Sequence, residues 1–334
     1  MPYDANVMRR ATERLETERL ARSDRTERLR AWAYAQEPRL AQLDRQLQST
    51  MSQLVAAALR RGEDPVQAVR AVRTQNLELQ RQRAVLLGAL GQPEDALDDK
   101  PDCPLCKDTG WQGAQMCTCL QRLCAQEQIQ ELSKLLDLGE QSFDAFRLDY
   151  YSTSPWPEMG CSPQENMEAV RDICWGYAQK FGRFPIKNLF LSGPPGLGKT
   201  FLSACIARTV SESGRSVVYD TAISIFTQFE TRKFQRGSQD GQEAKDETRR
   251  YLGCDLLILD DLGSEVPNQV TQSSLYELIN TRLVGGRHTV ISSNLTMEEA
   301  ARRYAPQIAS RLEGEYHLLR FFGDDIRLLK KRLQ

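Results

Sequence analysis

The 334-residue chain carries 44 Lys and Arg against 45 Asp and Glu, a formal net charge of −1 and a pI near 6.3. Charges so balanced exert no global pull toward nucleic acid, so any such contact needs a local patch, while the length allows two or three domains with a well-buried core. No stretch approaches the ~20 apolar residues of a membrane span, and Met1 to Leu20 is charged with no apolar signal core, so a cytoplasmic protein without a membrane partner is expected.

Residues 1 to 95 read as an all-α domain: few glycines, many Arg, Glu, Gln, Leu and Ala, with breaks at Glu37-Pro38 and at Arg61-Gly62-Glu63-Asp64-Pro65. Asp64 is placed to cap a helix that Pro65 begins. Leu40, Leu43, Leu47, Met51, Leu54 and Ala58 recur at spacings of three and four, and so do Val66, Val69, Val72, Leu79, Leu86 and Leu90. These stripes either bury one another in a small antiparallel bundle or stay open for a partner helix.

Gly91-Gln92-Pro93 ends the helical region, and five of the nine cysteines follow closely: Cys103, Cys106, Cys117, Cys119 and Cys124. A C-x-x-C pair followed by a C-x-C pair offers four soft ligands at a spacing that resembles a zinc knuckle or ribbon. Zn²⁺ would order a segment, residues 100–124, with little core of its own. A redox pair or an inert cluster is the alternative, and Cys124 is a spare or substitute ligand. Cys161, Cys174, Cys205 and Cys254 sit among apolar residues and read as inert core.

A helical stretch over 121–138 lies within an expected linker, 125–163, which ends in the Pro- and Gly-bearing span Tyr150 to Pro163. The main domain boundary is expected there. From 164 to 334, short apolar runs alternate with helical segments, the pattern of an α/β domain with a parallel five-stranded sheet. The expected strands are Asn188 to Ser192, Ser216 to Asp220, Asp255 to Asp260, Thr289 to Ser293 and Leu318 to Phe322.

Between the first strand and the helix expected from Phe201 to Val210 runs Gly193-Pro194-Pro195-Gly196-Leu197-Gly198-Lys199-Thr200, which matches G-x-x-x-x-G-K-[ST]. The glycines let the backbone curl so that successive N–H groups face phosphates, and the helix adds its positive end. Lys199 supplies a point charge for the β and γ phosphates, Thr200 a ligand for Mg²⁺, and Phe201 follows as the next residue of the ATP-binding segment. Leu256-Leu257-Ile258-Leu259-Asp260-Asp261 places two acids at the end of a buried strand. Asp260 is expected to hold the Mg²⁺ or its water, and Asp261 to polarise the attacking water. Asn294 ends a neighbouring strand, either to orient that water or sense the γ-phosphate, or to cap a helix from Met297 onward. Arg311 and Arg327 are spare positive charges for phosphoryl transfer, within the subunit or from a neighbour.

In this order, strand, phosphate loop, adjacent acids, polar strand end and two late arginines resemble the AAA+ ATPases of the initiator and helicase-loader group, in particular the DnaC-like or DnaI-like bacterial helicase loaders. The phrases Leu138-Gly139-Glu140-Gln141-Ser142-Phe143, Thr200 to Ala207, Val218-Tyr219-Asp220-Thr221 and Ile279-Asn280-Thr281-Arg282 are similar to that group. The resemblance implies an AAA+ P-loop fold, Lys199 and Thr200 as Walker A, Asp260 and Asp261 as Walker B, Asn294 as sensor 1, Arg311 as a trans-acting finger and Arg327 as sensor 2. It also implies an ATPase that self-associates and binds a replicative helicase and single-stranded DNA. Residues 222 to 250, with Arg232, Lys233, Arg236, Lys245, Arg249 and Arg250 beside Phe226, Phe229 and Phe234, are then either a single-stranded DNA contact or a solvated helix with its Phe residues in the core.

Two departures mark this chain. Asp261 stands where many AAA+ enzymes have Glu, which predicts slow hydrolysis. Only seven residues follow Arg327, too few for a helical lid, which makes nucleotide contacts depend on a neighbouring subunit. The same motif set occurs in IstB-like transposition helper ATPases, the alternative within the fold, and a nucleotide-gated binding module with little turnover is the alternative from another class.

Overall fold

In a computed structural model of the chain, residues 3–59, 65–134, 136, 141–235 and 237–333 are described. The expected Asp64 cap, residues 138–140 of the first family-like phrase and Arg236 lie outside them. So do the side chains of Met51, Leu54, Ala58, Val66 and Val69. The chain divides into two compact units, Met1–Thr12 with Thr118–Gln334, and Glu13–Cys117.

The second unit is helical. Its helices are most of α1 (Ala5–Gln36), which starts in the first unit, then α2 (Pro38–Leu59) and α3 (Pro65–Ala89). Of the predicted stripes Leu40, Leu43 and Leu79 are buried and Leu47, Val72, Leu86 and Leu90 half-buried, while Leu87, outside the stripes, is buried and Leu77 and Val85 are exposed. Polar ties supplement these buried residues. Arg83 bonds Asp44 and Asp98, Tyr34 donates to Asp44, and Arg30 donates to the Leu97 carbonyl. A short antiparallel hairpin, β1 (Trp111–Gln112) and β2 (Gln115–Met116), closes the unit.

The first unit contains α4 (Thr118–Leu132), a single 3₁₀ turn (Leu148–Tyr150) and α5 (Pro163–Gln179), which starts on a Ser162–Glu165 capping box with Pro163 at its first position. Then follow β3 (Leu189–Ser192), α6 (Lys199–Glu212), β4 (Val217–Thr221), α7 (Ala222–Phe234), α8 (Gln239–Gly253), β5 (Leu256–Leu262), α9 (Gln269–Val284), β6 (His288–Ser293), α10 (Met297–Arg303), α11 (Pro306–Glu315), β7 (His317–Arg320) and α12 (Ile326–Leu333). The sheet is parallel throughout, in the order β4-β5-β6-β3-β7. The near-continuous apolar runs of β3, β5 and β6 are buried on both faces, as a parallel sheet covered by helices requires. The first strand of the domain thus lies between the fourth and fifth, and the AAA+ P-loop fold follows from that order.

All five expected strands are present, with ends shifted by one or two residues. The last begins and ends earlier, at His317 and Arg320, and beyond it Phe321 N–H still donates to the Ser192 carbonyl. The helix expected over 121–138 starts three residues sooner and is described to Leu132. Cys174, Cys205 and Cys254 are buried as expected, whereas Cys161 is half-exposed in the loop before α5.

Arg282 is the largest fully buried side chain of the unit. Its guanidinium donates to the carbonyls of Tyr251, Cys254 and His288 and to Thr289 Oγ1, so α9 is tied to the starts of β5 and β6. Five fixed donors suit such a cradle of carbonyls.

A candidate nucleotide site and a candidate metal centre

The phosphate loop takes its shape from three glycines. Gly193, Gly196 and Gly198 have φ of 150°, 80° and 92°, the left-handed half of backbone space that side chains avoid. Two of them also admit no Cβ. At Gly193 it would meet the Phe321 carbonyl at 2.1 Å, and at Gly196 the Asp325 carboxylate at 1.9 Å. Gly198 is the N-cap of α6 and no side chain caps that helix, whereas Ser162, Thr221, Ser238, Asn268 and Thr296 cap α5, α7, α8, α9 and α10. The positive end of a 14-residue helix therefore opens onto the loop, as an anion site requires.

Lys199 Nζ donates to the carbonyls of Gly193 and Pro194 at 2.6 and 2.8 Å. Burial pushes its pKa below the ordinary lysine range, with Arg327 adding to the effect and Asp260 and Asp261 opposing it. Next to it, Thr200 Oγ1 lies 3.3 Å from Asp260 Oδ2. This pair brings the hydroxyl of the loop and the buried carboxylate of β5 to one point, the donor set a Mg²⁺ would take. Asp260 also accepts from Tyr219 Oη at 2.6 Å and from Ser292 Oγ. Burial and the neighbouring carboxylate hold the Tyr219 phenol well above its usual pKa, so it stays a donor.

Asp261 is exposed at φ 58°, on a bulge where the β5–β6 register shifts between Leu259 and Leu262. The bulge turns two successive acids to different sides, Asp260 inward and Asp261 outward. Asp261 N–H donates to Ser292 Oγ. Asn294 is exposed beside Gly263, where its Oδ1 lies 3.0 Å from the position of a Cβ. Its alternative role as a helix cap is corrected: Thr296 caps α10, in a capping box with Glu299. Arg327 sits in the first turn of α12, near enough to Lys199 to act on its charge, and Ile326 N–H donates to the Gly196 carbonyl. Pro194, Pro195 and Leu197 complete the loop. Leu197 is buried, with its carbonyl accepting from Tyr151 Oη, and the Phe201 ring packs at 5.6 Å on Phe146. Arg311 is not among these groups. It is held on α11 by Asn280 Oδ1 at 2.8 Å and lies over the Tyr276 ring.

In the 222–250 region Phe226 and Phe229 are core residues, and Arg232 pairs with Glu277. Arg249 pairs with Asp246, and Arg250 with Glu131 and Glu247, while Phe234 is exposed with Lys233 over its ring. Much of the charge counted as a basic patch is thus paired internally.

The sulfurs of Cys103, Cys106, Cys117 and Cys119 lie within 4.8 Å of one another, with Cys103 and Cys117 at 3.7 Å. Four thiolates around a tetrahedral Zn²⁺ with bonds of ~2.3 Å stand about 3.8 Å apart, so the donor set fits. The turn after Cys106 is left-handed at Lys107 and Asp108, φ 53° and 61°. Asp108 accepts from the N–H groups of Cys103 and Asp102 and from Arg22 of α1, and Gly110 N–H donates to Cys106 Sγ. Such outer partners orient metal ligands. Cys124 is elsewhere: its buried thiol meets Met8 Sδ at 3.5 Å, and burial, with Glu127 nearby, pushes its pKa up to about 11.

Tyr219 and Ser292 were not singled out by the sequence. Each comes from a strand flanking β5, and only the strand order reveals them. Asp325 was likewise hidden, because nothing in the sequence brings it against Gly196.

These features define an AAA+ P-loop nucleotide-binding domain. Residues 184–333 match the family of IstB-like ATP binding proteins. The insertion sequence ATP-binding protein y4pL of Sinorhizobium fredii, so described provisionally, is 32% identical over 43% of this chain and 58% of its own length. The replicative helicase loader DnaC of Escherichia coli is 24% identical over 38% and 50%. The chain thus spans about half the length of the curated relatives it matches. Among solved structures, the DnaC helicase loader aligns with a TM-score of 0.45 at 17% identity, covering 56% of this chain and 99% of that one. AMPPCP-bound DnaA from Aquifex aeolicus aligns with 0.43 at 19%, covering 58% and 55%.

Proposed function

We propose that the protein is an ATP-dependent helicase loader of DNA replication, and that it binds ATP with Mg²⁺ at the loop 193–200. The observation that carries the nucleotide reading is the meeting of Thr200 and the buried Asp260 carboxylate beside an uncapped helix end. When bound, Mg²⁺ would supply positive charge against the phosphates. The chain's own groups then divide the work. Thr200 and Asp260 hold the ion, with Tyr219 and Ser292 fixing the Asp260 carboxylate. Lys199 leaves the loop carbonyls for the phosphates, and Asp261 and Asn294 orient water. Arg327 reaches the nucleotide of its own subunit, and Arg311, on another face of the domain, that of a neighbour in a self-associated form.

In this reading residues 1–95 grip the replicative helicase, 100–124 form a zinc-binding module through Cys103, Cys106, Cys117 and Cys119, and 125–163 link them to the ATPase domain, 164–334. Single-stranded DNA is bound by the same domain, and the protein acts in the cytoplasm. No helix among the described residues is long and apolar enough to cross a membrane.

A second reading, a helper ATPase of transposition, is favoured by the match of residues 184–333 and by y4pL. Co-purification of the full chain with a hexameric helicase supports the loader, and capture of a transposase in its place establishes the helper. ATP hydrolysis that is stimulated by single-stranded DNA and lost in Asp261→Asn is expected; ATP binding without turnover would leave a nucleotide-gated binding module.

A further inference from the structure

A buried acid lies on the far side of the Walker B turn, outside the set of groups assigned to the nucleotide. Glu265 is 6% exposed. Its Oε2 accepts from Gly263 N–H at 2.7 Å, two residues beyond Asp261. Its Oε1 accepts from the buried hydroxyl of Tyr304 and faces Arg303 Nε at 3.7 Å, while its carbonyl accepts from Arg303 Nη2. One residue therefore joins the turn after the acids to the elbow between α10 and α11. A buried carboxylate so bonded is costly to disturb, because each lost partner leaves charge unpaired.

The far side of the elbow is fixed as well. Gln272 of α9 donates to the Arg303 carbonyl and accepts from Ala305 N–H. One and two turns further along the same face of α9 stand Tyr276 and Asn280, the two side chains that hold Arg311. The near end of the chain of contacts is Asp261, whose left-handed backbone is of a kind that persists only where the surroundings enforce it. At Gly263, φ 107°, a Cβ would meet Leu295 at 2.8 Å and Asn294 Oδ1 at 3.0 Å.

From this we infer that Glu265 and Tyr304 are positioning residues that couple the nucleotide state read at Asp261 and Asn294 to the placement of Arg311 on α11. The inference rests on the reading of 193–200 as an ATP site and of Arg311 as a group presented to a neighbour. In it, ATP bound in a subunit shifts the 261–265 turn, Glu265 pulls the 303–305 elbow with it, and α11 offers or withdraws Arg311. Each subunit would thereby tell its neighbour whether it is loaded. Coupling of this kind requires that both ends bias one element, here the 303–305 elbow.

Hydrogen exchange of the full chain with and without ATP and Mg²⁺ tests this directly. In the wild type, exchange is expected to slow at 193–200 and to change at 303–311 together. In Tyr304→Phe and in Glu265→Gln the slowing at 193–200 is expected to remain and the change at 303–311 to be lost. A response at 303–311 that persists in both variants overturns the relay, as does a wild type in which 193–200 responds and 303–311 does not. A wild type silent at 193–200 removes the ATP reading itself, and the relay with it. If Glu265→Gln does not fold, Tyr304→Phe, which keeps the ring and removes one donor, decides.

Discussion

The unit that carries the sheet buries almost every side chain of β3, β5 and β6, and two large apolar clusters flank them. In Glu13–Cys117, an apolar cluster among the described residues is Ala33, Leu40, Leu87 and Leu97 with a few partly buried neighbours. Charged ties accompany it, Arg83 to Asp44 and Asp98 and Arg22 to Asp99 and Asp108. Ion pairs to exposed partners, such as those to Asp98 and Asp99, contribute ~1 kcal/mol or less each, whereas each fully buried Leu or Phe contributes about 1.5–3 kcal/mol. The first unit has apolar area enough to tolerate buried polar groups at its site. A metal held by Cys103, Cys106, Cys117 and Cys119 would add a cross-link to the segment 100–124.

The largest expected effect breaks the comparison at its weaker side. Structural Zn²⁺ sites contribute about 10 kcal/mol or more, so chelation, or Cys103→Ser, should lower the melting temperature of the helical unit sharply and leave nucleotide binding nearly intact. Metal analysis should find one Zn²⁺ per chain; none would refute the site. On the stronger side, Arg282→Ala strips three carbonyls and Thr289 of their donor in a fully buried place. A loss of about 3–5 kcal/mol in the sheet unit is expected, read as a fall in its denaturation midpoint. A midpoint that hardly moves would mean that water replaces the guanidinium. The smallest effect concerns pH. Since burial lowers the pKa of Lys199, the charge that attracts phosphate is fully present below that depressed value and is lost as pH rises through it. ATP affinity should therefore weaken at a pH below the ordinary lysine range of ~10.4, and Lys199→Arg, which stays charged, should abolish that dependence. An unchanged pH profile in Lys199→Arg would assign the titration elsewhere.

The α/β domain was legible because its elements announce themselves locally. The runs Leu189-Phe190-Leu191 and Leu256 to Leu259 are apolar without alternation, and the loop from Gly193 to Thr200 has a fixed spacing of residue types. The region 222–250 was not legible to the same degree. Its arginines and phenylalanines have the composition of a nucleic-acid patch, and only packing reveals that Phe226 and Phe229 face the core and that Arg232 is spoken for by Glu277. Cys124 misled in the same way, since nearness in the chain to four cysteines says nothing of a helix that turns its thiol toward Met8.

What the sequence by itself determined is therefore the set of groups close together along the chain: the phosphate loop, the acid pair after a buried strand, the two cysteine pairs. Local spacing sets the backbone choices there, and a glycine or a C-x-x-C pair acts over a few residues. What only the tertiary structure decided is which distant groups complete them. Tyr219 and Ser292 reach Asp260 because β4 and β6 flank β5, Asp325 rests on Gly196 because β7 lies beside β3, and Glu265 meets Tyr304 because α9 pins the elbow before α11. Such neighbours follow from strand order and helix packing, which are fixed by burial summed over the whole domain rather than by any short stretch of residues.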